Sequence, residues 1–276
     1  MQAGRIRHPR AVTLLAALVG VAVCAAMPVS AGASSKKGET LQILVTNDDG
    51  VSAPGIDAAV TALTALPNTK VTVVAPLSNQ SGSGPKVSGG TLTATDATTA
   101  SGYPAKAIAG YPADTIIWAI DDHGVTLRPD LVVSGINFGQ NLGPFAAISG
   151  TVGAAETALA RGIPALAVSQ GIDNSVSPDF SQGARYLVAW VQSHRSSLLH
   201  ATKHTARAVN GGLNVPTCAT GHIRGPVKVV AAASLAGYSI MTVNCSSTIA
   251  RPSTDVQAFV NGFASIWALH PVNPPS

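Results

Sequence analysis

The sequence predicts an α/β fold: a doubly wound, mostly parallel sheet followed by an extended, β-rich C-terminal piece. Three observations carry this. Short runs that are apolar on both faces recur from residue 41 to residue 170, as in "LQILVT", "KVTVVAP" and "PALAVSQ". Stretches of helical character lie between them, and that alternation is the pattern of parallel strands covered on both sides by helices. The composition agrees, with 46% hydrophobic residues, 11% charged and only 4% aromatic, because small side chains suit closely packed strand–helix layers.

In order along the chain, "SSKKGET" (34–40) is a polar lead-in and 41–46 is the first buried strand. "PGIDAAVTALTAL" (54–66) is a helix, with Pro54 suited to its first turn. A second strand (70–76) runs into "LSNQSGSGPKVSGG" (77–90), a loop rich in glycine and serine. "AKAIAG" (105–110) and "DLVVSGIN" (130–137) are strands on either side of the helix "PADTIIWAIDD" (112–122). "SGTVGAAETALARG" (149–162) is a helix stopped by Gly162, 164–170 a strand, and 177–199 a long helix. Beyond about residue 205 the alternation weakens. Residues 210–216, 226–233, 238–245 and 255–271 all read as strands or extended pieces. No domain linker interrupts 34–276, so one domain is expected.

The N-terminus is different. Residues 1–10 hold Arg5, Arg7 and Arg10 and no acid, an uninterrupted apolar stretch follows (11–27), and "PVSAGASS" ends it with small residues. That is the layout of a secretory signal peptide over 1–33, cleaved after Ala31 or Ala33. The stretch is shorter than the ~20 residues of a full membrane span, which disfavours an uncleaved anchor. The protein is therefore expected to be exported, with no stable membrane insertion after cleavage. Without those three arginines the chain keeps 14 basic residues against 13 acidic, so its basic pI is no argument for nucleic-acid binding. Cys218 and Cys245 remain as an even pair, read as a disulfide in an exported chain, or else as two buried thiols.

In an open α/β sheet, ligands gather at the carboxyl ends of the strands. The first strand ends in Asn47, Asp48, Asp49 and Gly50. The second delivers Ser78, Asn79, Ser81 and Ser83, and the strand at 130–137 delivers Ser134, Asn137 and Asn141. These are short side chains bearing oxygen, without histidine or cysteine. Adjacent carboxylates repel, and keeping both ionised beside a buried strand end needs a cation. An all-oxygen set suits Mg²⁺, Mn²⁺ or Ca²⁺ rather than zinc. The alternative is that Asp48 or Asp49 only caps the helix at 54–66. "ISGTVGAAE" (148–156) opens another helix, whose first N–H groups suit a phosphate, or are capped by Ser149 or Thr151.

Together these segments resemble the SurE family of survival proteins, which are metal-dependent nucleotidases. The resemblance rests on "ILVTNDDGVSAPGI" (43–56), "VTVVAPLSNQSGSG" (71–84), "YPADTIIWAI" (111–120), "PDLVVSGINFGQNLG" (129–143) and "SGTVGAAETALARGIPALAVS" (149–169). "SPDFSQGARYLVAWV" (177–191), "LNVP" (213–216) and "DVQAFVNGFASIWALHP" (255–271) continue it. It implies a Rossmann-like core and a metal held by Asp48, Asp49, Ser81 and Asn137, with Mg²⁺ or Mn²⁺ expected. It implies hydrolysis of nucleoside 5′- and 3′-monophosphates and related phosphate esters through a metal-activated water. Asp48, Asp49 and Asn47 are the expected catalytic residues. Asn141, Ser149, Gly150 and Thr151 are expected to hold phosphate. It also implies a homodimer or higher homo-oligomer, with 226–271 the segment available for exchange between subunits; with the near-neutral charge of residues 34–276, no binding of nucleic-acid duplex is expected.

This chain departs from the family pattern in two loops. Pro85 and Lys86 stand where a histidine usually follows the serine loop, and Pro144 and Phe145 stand where acids usually follow "NLG". Lys86 is either a phosphate contact or simply solvated. His270 lies near the family's C-terminal histidine, while the other histidines have no motif around them. These departures leave a second reading, an exported non-catalytic phosphate- or nucleotide-binding protein on a decayed scaffold. An oxidoreductase is disfavoured, because G-x-G-x-x-G is missing after the first strand and acids there repel a pyrophosphate.

Overall fold

The structure, a computed structural model, describes Met1 and residues 38–273. The signal peptide expected over 1–33 lies outside the described residues apart from Met1. No helix among the described residues is long and apolar enough to cross a membrane.

The chain runs β1 (Leu41–Thr46), α1 (Pro54–Thr64), β2 (Thr69–Pro76), β3 (Ala94–Thr98), β4 (Pro104–Ile108), α2 (Pro112–Ile120) and β5 (Leu131–Phe138). Then come α3 (Gly150–Ala160), β6 (Ala165–Gln170), α4 (Phe180–Leu199), β7 (Asn210–Val215), β8 (Arg224–Lys228), α5 (Asp255–Val260) and β9 (Phe263–Trp267). The nine strands form one sheet in the order β3-β4-β2-β1-β5-β6-β7-β9-β8. All pairings are parallel except β3 with β4 and β7 with β9.

Burial on both faces explains why the central strands read as continuous apolar runs. Ile43 and Val45 of β1 pack with Ile56, Val60 and Leu63 of α1 and with Leu187 and Val191 of α4. Leu44, between them in sequence, points the other way, into a cluster with Ile116 of α2 and Ala154, Ala155 and Ala158 of α3. Successive side chains of a strand face opposite sides, so one six-residue strand serves two cores. A third, smaller cluster joins Leu142 to Val256, Phe259 and Val260 of α5.

The strand order reverses at β1, which has β2 on one side and β5 on the other. The crevice outside the carboxyl ends of β1 and β5 is the place where such a sheet holds ligands. β5 is irregular there, with its register against β6 shifting between Ser134 and Asn137. Gly135 makes the irregularity, at φ +136° and with its backbone so near β6 that a Cβ would lie 2.3 Å from the Val168 carbonyl oxygen.

Three sequence expectations are corrected, and one strand lies where none is expected. β3 was not foreseen, because "ATDAT" is a half-exposed edge strand without an apolar face. Residues 238–245 form no strand: their segment is tied down by turns and by the bonded pair Cys218–Cys245. Of the extended stretch expected at 226–233, strand geometry covers only as far as Lys228. Residues 255–271 are not uniformly extended, since they begin with α5. Thr254 accepts from the Gln257 N–H at 3.2 Å, a Thr-x-x-Gln start signal that the sequence does contain.

Candidate metal and phosphate site

Asp48 and Asp49 follow β1 directly. Asn47 makes their turn, donating from Nδ2 to the Gly50 carbonyl at 2.8 Å and accepting from the Gly50 N–H at 3.2 Å. It is fully buried and shapes the loop. Neither acid caps α1, whose N-cap is Ala53 with no side-chain bond. Asp48 reaches across to the start of α3 instead. It accepts the Thr151 hydroxyl on Oδ1 at 2.7 Å and the Thr151 N–H on Oδ2 at 3.1 Å. Asp49 accepts the Phe138 N–H on Oδ2 at 2.9 Å, which ties it to the end of β5. Asn79 Nδ2 lies 3.5 Å from its Oδ1.

The serine loop closes over this pair. The Gln80 N–H donates to the Asp48 carbonyl at 2.6 Å, and the Ser81 N–H to Asn79 Oδ1 at 2.9 Å. Gly84 is pinned to the Ile148 carbonyl at 2.9 Å. Gly150 permits the close approach of all three segments. A Cβ there would lie 2.8 Å both from Asp48 Cβ and from Ser83 Oγ. Asp114 anchors the far end of the loop by accepting from Ser88 N–H and Oγ, the latter at 2.6 Å.

The electrostatics leave the carboxylates short of a partner. Burial pushes the Asp48 carboxyl up to about 6; the Thr151 hydroxyl pulls it down and the charge of Asp49 adds to the rise. Burial also raises Asp49, with the Phe138 N–H opposing. The ion pairs among the described residues are Lys106–Asp96 and Arg161–Asp121, so no basic side chain neutralises either site acid. Ser83 Oγ is buried there without a hydrogen-bond partner.

That donor set fits a hard divalent cation. No group of three His, Cys, Asp or Glu residues gathers among the described residues, so a metal here has to complete its shell from hydroxyl and amide oxygens. Asn137, near-buried at the end of β5, uses Nδ2 on the Gly139 carbonyl at 2.8 Å, and its Oδ1 takes no hydrogen bond among the described residues. Ser81 is exposed on the loop two residues beyond Asn79.

The expected phosphate holders are differently employed. Both donors of Thr151 go to Asp48. Ser149 caps α3, accepting from Val152 N–H at 3.1 Å. Asn141 donates from Nδ2 to Ser169 Oγ at 2.9 Å, and its backbone exchanges two bonds with the Asn214 side chain. Among these residues the Gly150 N–H is free of such duties. Lys86 lies over the Tyr111 ring, 5.7 Å from its centre. Pro144 and Phe145 are exposed, and the His270 N–H donates to Glu156 Oε1. Sequence reasoning did not find the Thr151 clamp or the Phe138 N–H. A backbone donor leaves no mark on residue type, while Thr151 is one ordinary threonine in a helix start.

The chain is similar to known proteins in sequence and in fold. A 5′-nucleotidase SurE of Methanopyrus kandleri is 40% identical over 168 residues, covering 57% of this chain and 62% of the relative. One from Rhizorhabdus wittichii is 30% identical over 241 residues, covering 83% of this chain and 93% of the relative. The chain thus spans less than two thirds of the first of these relatives. The crystal structure of SurE protein from Aquifex aeolicus superposes with a TM-score of 0.65 at 27% identity, covering 84% of this chain and 94% of that one. The family profile described as survival protein SurE matches residues 43–237, and it contains the strand ends, the serine loop and the α3 start just described. The chain belongs to the SurE family.

Proposed function

We propose that this protein is a phosphomonoesterase that hydrolyses nucleoside 5′- and 3′-monophosphates and related phosphate esters with a divalent metal. One observation carries the reading: two adjacent carboxylates, the buried Asp48 and the half-buried Asp49, sit at the strand-order reversal, and among the described residues no basic side chain pairs with either. The relatives named 5′-nucleotidase support the reaction class.

Asp48, Asp49, Ser81 and Asn137 would hold the metal. When bound, Mg²⁺ or Mn²⁺ supplies a polarised phosphoryl oxygen and a water of lowered pKa. Thr151 fixes the orientation of Asp48, and the Phe138 N–H fixes that of Asp49. The free Gly150 N–H and the unpartnered Ser83 hydroxyl supply donors for phosphate oxygens, at the positive end of α3. Asp48 orients, or takes a proton from, the attacking water.

The test is hydrolysis of p-nitrophenyl phosphate and a panel of nucleoside monophosphates with Mg²⁺, Mn²⁺ or excess EDTA, beside Asp49→Ala. Phosphate release that needs metal and is lost in the variant supports the enzyme. Metal binding without turnover on any ester replaces it with the binding-protein reading. Export and self-association belong to the same proposal. N-terminal sequencing of the protein recovered outside the cytoplasm should begin at residue 32 or 34, and sedimentation should give a homodimer or larger.

A further inference from the structure

Beside Asp49 a cleft of about 450 Å³ opens between the Asp49–Gly55 turn, the start of the serine loop and the first residue of α4. Its apolar wall is Leu77, Phe138 and Phe180. Two of these are unusually bare for their type: Phe138 is 50% exposed and Leu77 57%. The Phe138 and Phe180 rings are tilted at 48° with centres 6.3 Å apart, so they form two facets of one aromatic surface. Ser52, Ser78 and Asn79 give the cleft neutral polar groups. No lysine, arginine or histidine lines it, and Asp49 is its single charge.

The cleft and the carboxylate site are joined by one residue. Phe138 gives its N–H to Asp49 and its ring to the cleft. A phosphate ester placed at the acids therefore has its alcohol portion next to an apolar, uncharged, partly aromatic surface. Such a surface stacks flat rings without regard to their edge pattern, because every base has a π-face. It offers no cation to a second phosphate.

We infer that Phe138 and Phe180 are specificity-determining residues that stack the base of a nucleoside monophosphate, so that this protein prefers nucleotides over sugar phosphates that lack a base and over polyphosphate. The inference rests on the hydrolase reading for its rate measurements only. Ser52 and Asn79 sit where they can meet the ring edge, and the absence of cations makes oligophosphate chains poor occupants.

The experiment compares AMP with ribose 5-phosphate, which keeps the sugar and the phosphate and lacks the ring. It uses the purified protein with Mg²⁺ or Mn²⁺. Phe138→Ala keeps the backbone N–H to Asp49. It should lower the AMP-to-ribose 5-phosphate ratio of kcat/KM about tenfold, mainly by raising KM for AMP, and Phe138→Tyr should restore the ratio. Adenosine alone, followed by calorimetry, should bind Phe138→Ala about tenfold more weakly than the unaltered protein. An unchanged ratio, or adenosine binding indifferent to Phe138, overturns the assignment. If no ester is hydrolysed at all, the hydrolase reading fails, and adenosine binding still decides the cleft.

Discussion

Thr151 grips both oxygens of Asp48: its hydroxyl donates to Oδ1 at 2.7 Å and its N–H to Oδ2 at 3.1 Å. A residue of α3 thereby orients an acid of the β1 loop, 103 positions away in sequence. Thr151→Val removes the hydroxyl and keeps the backbone bond. Loss of a partner that orients a metal ligand costs roughly 10–100-fold in metal affinity or activity. Calorimetric titration with Mn²⁺ should show such a loss for Thr151→Val and near-normal affinity for Thr151→Ser.

Asp114 accepts from Tyr111 N–H at 2.8 Å and from Ser88 N–H and Oγ, all under the serine loop, and it is 1% exposed. Asp114→Ala removes the shared acceptor of exposed Ser88 and half-buried Tyr111, at about 1 kcal/mol for each hydrogen bond lost. The variant should unfold at lower denaturant, and limited proteolysis should cut first between residues 77 and 90. Intact loops at an unchanged denaturation midpoint would refute this anchoring role.

Glu156 gives a pH dependence whose sign is fixed. Its folded pKa is raised, first by burial, with the His270 N–H and ring charge opposing. The folded state therefore holds the proton more tightly than the unfolded chain. That contribution is fully present below the ordinary glutamate range and is lost as pH rises through the raised folded value. Glu156→Gln keeps an acceptor for the His270 N–H and cannot ionise. Its urea midpoint relative to the unaltered protein should rise between acid and neutral pH, and a difference that stays flat or falls would refute the argument.

The Cys218–Cys245 bond closes a loop with a sequence separation of 27. Chain-entropy arguments give such a loop about 3–4 kcal/mol of stabilisation. Cys218→Ser with Cys245→Ser should lower the urea midpoint accordingly. The segment has no strand ladder and is otherwise held by single bonds, among them Asp173 to the Val243 N–H at 2.9 Å, Gln140 to the Ile240 carbonyl at 2.6 Å, the Asn174 N–H to the Met241 carbonyl at 3.1 Å and the Asn244 N–H to the Val260 carbonyl at 2.9 Å. Hydrogen exchange in the double variant should therefore rise first near residues 238–245.

The central sheet was legible because its strands are buried on both faces, which forces continuous apolar runs such as Leu131–Val133, and because helices between them carry Pro54 and Pro112 at their first turns. The sheet edges and the C-terminal third were less so. β3 and β8 are half-exposed edge strands with no periodic face, and α5 is six residues long and nearly all buried, so it reads as an extended apolar run. At the site, Asp48 and Asp49 were readable as the acids just past the end of β1, and Ser149 and Thr151 as residues of a helix start. Their division of labour was not. Whether Thr151 serves a phosphate or Asp48 depends on how closely α3 approaches the β1 loop, and that distance is set by Gly150 and by packing across the sheet, not by the local pattern.

β9 is the last strand in the chain, yet it lies between β7 and β8. β8 has no other neighbour in the sheet. On a growing chain, the six parallel strands that run from β4 to β7 in the sheet order can therefore assemble with Asp48 and Asp49 already in place, while β7 keeps a bare edge and β8 waits unpaired until residues 263–267 have been made. A chain stopped short of residue 263 would retain its carboxylate site and expose a strand edge to any neighbour, so that early termination endangers solubility before it endangers the chemistry.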